Sequence, residues 1–575
     1  MTALPHNAFT SDSQTPREEN PLAGIIDTIE AIIIALILAL TFRAFVVEAF
    51  VIPTGSMAPT LLGAHFKATC PKCGYGFDTE ADLRHQYFND RGTRTINNTQ
   101  NQELVSNRNL PCDNEDILCP NCGYHIDSTA LPQYQGKLPV DKDMRGRHGT
   151  GSAEFAWANN GDRILVLKYL YAVLSPQRWD VIVFKEPSTA QNNYIKRLIA
   201  LPGETIEIID GDIYVAPQGK TGPADRRIAR KPVHIQNALW QLVYDNDFLP
   251  TDAGSPRDDG HSWNNPWEGA GTTAENWNFS QSKITYNGSE PGTAQFVIRD
   301  NQTFYTYNVL GYNRDVTETA KDNPGGPRTR VGDLHLESTW TPQSASAESV
   351  SMVLGLPRNC YKITWNKKGV ELSHRTADTQ PFVPLAAKIL PHKPPQAGRS
   401  YNLVFNNVDR SAQFFINGTL VVDHHPDWSA LDAFAEKQAA YADPSHFLKP
   451  HVYIQVDGAC TLGHLKLARD LYYTNVTVAG QPGTATEGNP LTLGVHEFFA
   501  LGDNSRKSSD GRMWNTVFPA LDDLGTRRGI VPERYLLGKA FFVYWPAGYR
   551  LSTYKNISAL ELPIVPDVGD MRLIR

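Results

Sequence analysis

The chain has 575 residues, 41% of them apolar and 20% charged, with a formal net charge of −7. That length leaves room for several domains, and the composition is ordinary for packed proteins, which excludes a disordered or low-complexity polymer. The negative charge, with no basic cluster, argues against nucleic-acid binding; the odd number of cysteines, seven, leaves at least one unpaired or acting as a ligand.

Residues 1–21 are polar, contain Pro5, Pro16 and Pro21, and read as a flexible tail. Residues 22–42 are apolar and long enough, as a helix, to cross a bilayer core of about 30 Å. The expectation is a single transmembrane helix. Asp27 and Glu30 are costly at membrane depth, so a buried core helix and an uncleaved signal-like segment stand as alternatives. Charge codes orientation poorly, with Arg17 beside Glu18 and Glu19 on one side and Arg43 on the other.

Residues 45–52 are β-branched and aromatic, which predicts a buried strand. The strand feeds Pro53-Thr54-Gly55-Ser56-Met57-Ala58-Pro59-Thr60. Gly55 tolerates backbone shapes that other residues resist, and the two prolines stiffen the approach. A serine on such a turn can present its hydroxyl, but it is a weak nucleophile until a base activates it.

Two Cys-Pro-x-Cys-Gly knuckles follow, Cys70/Cys73 and Cys119/Cys122. Four thiolates suit tetrahedral zinc, each knuckle aiming two sulfurs at one point, although the gap between knuckles is longer than usual. Two disulfides, or a redox pair within a knuckle, are the other readings. The polar stretch 79–116 between them reads as a loop or small insert, and Cys112 is a spare thiol. Cys360 and Cys460 read as buried apolar residues, or as a disulfide with each other. Residues 128–152, rich in Gly, Pro and charge, read as a linker.

Beyond it, 161–168 and 178–184 read as strands. The run 205–215 reads as a hairpin around Asp210-Gly211-Asp212. Between them stands Tyr194-Ile195-Lys196-Arg197-Leu198-Ile199. A lysine buried among such neighbours loses hydration, which disfavours its charged form and lowers its pKa, so Lys196 could take the proton from Ser56. The plain alternative is a surface lysine on a strand. Arg197 would point to the opposite face of the strand and is effectively never deprotonated. From 233 to 468 aromatic and polar residues alternate between Gly/Asn/Asp turns, Asn417-Gly418 being a strong hairpin signal, and the segment reads as a β-sandwich. Trp263, Trp267 and Trp277 either offer a face to a sugar or fill a core. In the last part, Asp510 and Arg512 have the spacing for an ion pair bracing a turn.

Pro53–Thr60 resembles the nucleophile box of bacterial type I (leader) signal peptidases, membrane-anchored Ser-Lys proteases. Tyr194–Glu204, Phe498–Arg512 and Val531–Pro546 resemble further boxes of that family, in the same order. The resemblance implies Ser56 as nucleophile and Lys196 as general base. It implies a Thr54 hydroxyl that joins the Ser56 N–H in holding the oxyanion, a Ser508 that orients Lys196, and Asp510 and Arg512 as bracing residues. Ser505 and Gly511 depart from the family pattern, where arginine and serine are common. The implied substrates are secretory preproteins with signal peptides, cut without a catalytic cofactor. The implied location is the cell membrane, single-pass, with the catalytic domain on the exocytoplasmic side against the lipid bilayer.

The knuckles resemble a zinc ribbon, and the sandwich resembles a concanavalin-like or laminin-G-like domain with a glycan or protein partner. The expected architecture is therefore mainly β: a signal-peptidase-like antiparallel body with one N-terminal transmembrane helix, a zinc-ribbon-like insert and a β-sandwich insert. The divisions are tail 1–21, helix 22–42, core 43–66, ribbon 67–127, linker 128–152, core 153–232, sandwich 233–468 and core 469–575. Two other classes stay open: an enzymatically silent anchor whose sandwich binds a partner, and a soluble self-cleaving repressor.

Overall fold

The computed structural model describes residues 25–26, 28–37, 46–80, 109–111, 117–124, 126, 134–142, 148–157, 159, 161–187, 190–251, 263–297, 312, 331–344, 349–441, 450–475, 483–514, 527–546 and 568–575. It is mainly β, as expected. Residues 25–26 and 28–37 are helical with exposed side chains. Among the described residues no helix is long and apolar enough to cross a membrane. Part of the 22–42 segment, the Asp27 position included, and Cys112 lie outside the described residues.

The body is an eight-stranded antiparallel sheet in which pieces from distant parts of the chain lie side by side. Its order is Val47–Val51, Arg163–Leu167, Leu536–Trp545, Val181–Lys185, Asn193–Ala200, Glu497–Leu501 and Val531–Pro532, with Arg572–Leu573 added to Leu536–Trp545. The central Val181-Ile182-Val183-Phe184 run is buried on both faces, which β-branched and aromatic residues fill well. Val47–Val51, expected to be buried, is instead a half-buried edge strand. Among the described residues it pairs only with Arg163–Leu167, and Val51 is 52% exposed. The Thr205–Ile209 and Asp212–Ala216 hairpin turns at Asp210-Gly211, both at positive φ as such turns require, within a second sheet of four strands.

The stretch read as a linker is a ribbon. Tyr134–Lys142 pairs antiparallel with His148–Trp157, and Asn109–Pro111 adds a third strand. Its glycines and prolines masked a pleat-compatible alternation that includes Leu138, Val140, Phe155 and Trp157.

The 241–469 region is a two-sheet sandwich. In one sheet Leu334–Pro342 buries every second residue, and Tyr401–Val408 and Ser411–Ile416 lie beyond it. The facing sheet is built on Ser349–Leu356, Asn359–Asn366 and His451–Val456. Trp340 and Trp365, from opposite sheets, meet edge to face at 5.8 Å. The Asn417-Gly418 turn has φ of 50° and 76°, the left-handed values its hairpin needs. Trp263, Trp267 and Trp277 are all buried, so they fill the core and offer no sugar platform. Cys360 and Cys460 are buried free thiols on opposite sheets. The short helix Val233–Leu239, counted with the sandwich in the sequence, packs Ile235 and Leu239 into the body's core against Trp179, Ile206 and Leu471.

The knuckle segment does not stand apart from the sandwich. Phe66, Ile117, Cys119 and Ile126 share one continuous core with Tyr244, Trp267 and Leu465. Asn121 clamps the contact, donating to the carbonyls of Asp245 (3.2 Å) and Phe248 (2.7 Å) and accepting from the Asp245 N–H (2.7 Å).

Candidate active site

Ser56 sits in a single 3-10 turn, Gly55–Met57, directly after the edge strand. Lys196 projects from the Asn193–Ala200 strand, and its Nζ lies 2.7 Å from Ser56 Oγ and 3.0 Å from the Ile195 carbonyl. Residues 140 apart in sequence therefore come within proton-transfer distance. Lys196 is only 4% exposed. Burial pulls its pKa down from 10.5 to about 8, against the opposing pull of Asp510 and Asp503. Neither carboxylate makes a hydrogen bond to its ammonium, so loss of hydration prevails.

The serine turn is tied to the last segment by Asn504, whose backbone N–H donates to the Ser56 carbonyl (3.1 Å) and whose side chain donates to the Gly55 carbonyl (3.0 Å). Gly502 lies beneath this contact. A Cβ there would come within 2.1 Å of Ser508 Oγ and 2.5 Å of the Ser56 carbonyl, so only glycine fits. Ser508 is buried, yet its hydroxyl makes no hydrogen bond to Lys196 and has no partner among the described residues. The expected orienting bond is thus absent in this arrangement, the hydroxyl standing against Gly502 instead. Thr54 is exposed at the start of the serine turn, with no side-chain bond capping it.

Asp510 and Arg512 form a two-pronged pair, Nε to Oδ1 at 2.9 Å and Nη2 to Oδ2 at 2.7 Å, and Asp510 also accepts the Gly502 N–H at 3.0 Å. Arg512 reaches on to the Ser505 hydroxyl (2.7 Å) and carbonyl (2.8 Å) and to Thr474. The small Ser505 leaves room for that reach.

A second buried pair went unread in the sequence. Arg197 and Asp503, both fully buried, bond through two prongs at 2.8 and 2.6 Å, and Thr60 donates to Asp503 at 2.5 Å. The pair joins the serine segment, the lysine strand and the last segment. Only the position of Arg197, opposite Lys196 on a strand, hinted at it. Tyr312 was also missed. It packs against Gly55, and its hydroxyl donates to the Ala64 carbonyl at 3.3 Å.

The four knuckle cysteines converge. Cys70 and Cys122, and likewise Cys73 and Cys119, have sulfurs 3.6 Å apart, and all four sulfurs lie within 4.8 Å of one another. A disulfide would need about 2.05 Å. Four sulfurs about 2.3 Å from a tetrahedral zinc would stand about 3.8 Å apart, close to what is seen. Each knuckle turns through a glycine at positive φ, Gly74 and Gly123, and closes the same two backbone bonds. The buried tetrathiolate donor set fits a structural zinc. Asp212, Asp333 and Asp409 also converge within 4.8 Å. There the Lys231 ammonium already engages both Asp409 oxygens (2.8 and 3.0 Å) and Asp470 (2.8 Å), which makes the cluster an ion-pair network.

Residues 25–82, 150–259 and 468–545 match a sequence profile described as signal peptidase, peptidase S26. The matched segments carry Ser56, Lys196 and Ser508 and exclude most of the sandwich. A signal peptidase I from Rickettsia conorii is 50% identical over 153 residues, covering 26% of this chain and 46% of that protein. A probable signal peptidase I-1 from Synechocystis sp. is 31% identical over 110 residues, covering 18% and 54%. A signal peptidase I from Pseudomonas aeruginosa is 27% identical over 143 residues, covering 18% and 50%. The chain thus spans about half the length of these relatives. Among solved structures, the carbohydrate binding module CBM66 from Bacillus subtilis aligns with 35% of this chain and 95% of its own at 11% identity and a TM-score of 0.21. Galectin LEC-6 from Caenorhabditis elegans aligns with 24% and 82% at 16% identity and a TM-score of 0.15. Scores this low carry no argument about the sandwich.

Proposed function

We propose that the chain is a type I signal peptidase, a serine endopeptidase that removes signal peptides from secretory preproteins with a Ser56–Lys196 dyad. The observation that carries this reading is the buried Lys196 amine 2.7 Å from Ser56 Oγ, with its pKa drawn down to about 8. The neutral amine takes the Ser56 proton as Oγ attacks the scissile carbonyl, then returns it to the leaving amine. The Ser56 N–H, with the exposed Thr54 hydroxyl beside it, holds the oxyanion, a donor of this kind contributing about 2.7–4 kcal/mol to the barrier. Ser508, whose buried hydroxyl has no partner among the described residues, orients Lys196 once substrate is bound. Asp510–Arg512 and Arg197–Asp503 keep the three segments in register. No cofactor takes part in this chemistry.

In the same reading the protein is anchored in the cell membrane by the 22–42 segment, with the catalytic domain exocytoplasmic at the lipid surface. The sandwich is a contact module for a glycan or protein partner, and Cys70, Cys73, Cys119 and Cys122 hold a structural zinc.

The test is cleavage of a signal-peptide-bearing preprotein by the full chain in detergent. Cutting after a small residue, abolished by Ser56→Ala, is expected; folded wild type that cuts none of several preproteins would sink the proposal. Elemental analysis should give about one zinc per chain, and mapped disulfides within or between the knuckles would refute the metal.

A further inference from the structure

The peptide unit joining Gly55 to Ser56 carries the N–H that the proposed mechanism turns on the oxyanion. That unit is trans and planar, so its N–H points away from its carbonyl. Whatever fixes the Gly55 carbonyl therefore aims the Ser56 N–H. The carbonyl accepts from the Asn504 side chain (3.0 Å) and from the Ala58 N–H (3.0 Å). Glycine, lacking a Cβ, leaves the chain free to turn such a unit over, so a second restraint at Gly55 matters.

Tyr312 supplies that restraint. Its ring lies where a side chain at Gly55 would be: a Cβ there would come within 2.5 Å of Tyr312 Cε1 and 3.1 Å of its hydroxyl oxygen. Gly55 is not in the left-handed region, so its backbone would accept another residue, and the nearest obstacle is the ring. The ring is itself pinned at both ends. The Tyr312 hydroxyl donates to the Ala64 carbonyl (3.3 Å), and its backbone carbonyl accepts from the Glu80 N–H (2.8 Å) and the Thr79 hydroxyl (3.4 Å). The Glu80 carboxylate also binds the Lys507 ammonium at 2.5 Å, in the Ser505–Lys507 turn that follows Asn504. The two holds on the peptide, Asn504 at its carbonyl and Tyr312 at its Cα, thus meet at Glu80.

Tyr312 is only 4% exposed, which screens it from a substrate, and it lies outside the three segments that match the peptidase profile. We infer that Tyr312 is a positioning residue, contributed by the chain between the protease segments, that holds the Gly55–Ser56 peptide with the Ser56 N–H aimed at the oxyanion. This role rests on the reading of Ser56 as the nucleophile. It makes the oxyanion donor depend on a residue far from the serine box in sequence.

The test is the kinetics of preprotein cleavage by the full chain in detergent, with Tyr312→Ala and Tyr312→Phe beside wild type. Tyr312→Ala should lower kcat by about tenfold to a hundredfold, short of the outright loss of an oxyanion donor. Its KM should stay within about threefold of wild type, and the rising limb of its pH profile should stay centred near 8. Tyr312→Phe keeps the ring and gives up only the bond to Ala64, so its kcat should stay within about threefold of wild type. Should Tyr312→Ala fail to fold, Tyr312→Leu keeps apolar bulk without the flat ring and should lower kcat in the same sense. Folded variants with unchanged kcat and a lowered melting temperature would make Tyr312 a packing residue and overturn the inference. So would a raised KM with kcat kept, or a displaced pH limb, which would put the effect on substrate or on Lys196. Wild type that cuts no preprotein would overturn both readings, and wild type and Tyr312→Ala cutting alike would overturn this one alone.

Discussion

Among the described residues, Lys196 and Lys231 both have buried side chains, and their surroundings shift them in opposite directions. Lys196, beside Ser56, has a pKa drawn down to about 8, while Lys231, at the seam of body and sandwich, is held well above its ordinary value. Burial is nearly equal for the two side chains, so it does not decide the outcome. The difference lies in the carboxylates: Asp409 and Asp470 bond Lys231 directly, whereas Asp503 and Asp510 near Lys196 are bonded to Arg197 and Arg512. Those arginines take up the negative charge that would otherwise hold Lys196 protonated. In the proposed mechanism the two pairs would thus help keep Lys196 available as a base near neutral pH.

The comparison can be broken at either end. The largest expected effect is on turnover: Lys196→Met should lower kcat by about 10⁴-fold or more, the scale of losing a dyad member. Single-turnover cleavage checks this, and retained activity would remove Lys196 from the chemistry. Next in size, Lys231→Met leaves Asp409 and Asp470 buried without their cation. It should destabilise the fold by about 3–5 kcal/mol, read as a fall in the urea midpoint. A change under about 1 kcal/mol would mean the seam network is solvated in solution.

Lys196→Met should act in the opposite sense on stability. The folded pKa is lowered, so the cost of burying the charge is present in full below about pH 8. It is relieved as pH rises from there toward 10.5, where the unfolded chain still holds the proton. Removing the charge should therefore raise stability at pH 7 by roughly 1–3 kcal/mol. The smallest effect is in the pH profile. Because the base must be neutral, kcat/KM should climb about tenfold per pH unit below 8 and level off above it. A profile flat from pH 6 to 9 would contradict the lowered pKa.

The meeting of Ser56 and Lys196 was legible in the sequence because the two short segments that carry them each have an apolar or Pro/Gly setting that announces burial or a turn. The knuckles were legible for the same reason. Asp503 was not, because its partner Arg197 is 306 residues away and nothing near either residue encodes the meeting. Ser508 shows the converse limit: its placement near the site was legible, but the lack of a partner for its hydroxyl was not. The 134–157 ribbon was misread because Gly and Pro content outweighed a weak alternation. Val47–Val51 was misread because composition signals a strand and cannot say how many neighbours it pairs with.

The knuckle segment that carries the four cysteines and the sandwich share one hydrophobic interior, although almost 120 residues intervene between Cys122 and Gln241 in the chain. They cannot, then, be trimmed independently. A shortened protein lacking only the sandwich would turn Phe66, Ile117 and Ile126 toward water, and one lacking only the knuckles would bare Tyr244 and Leu465. A minimal version requires four cuts rather than two, and an ancestor that lacked either part had to lack both or keep its apolar face covered by something else.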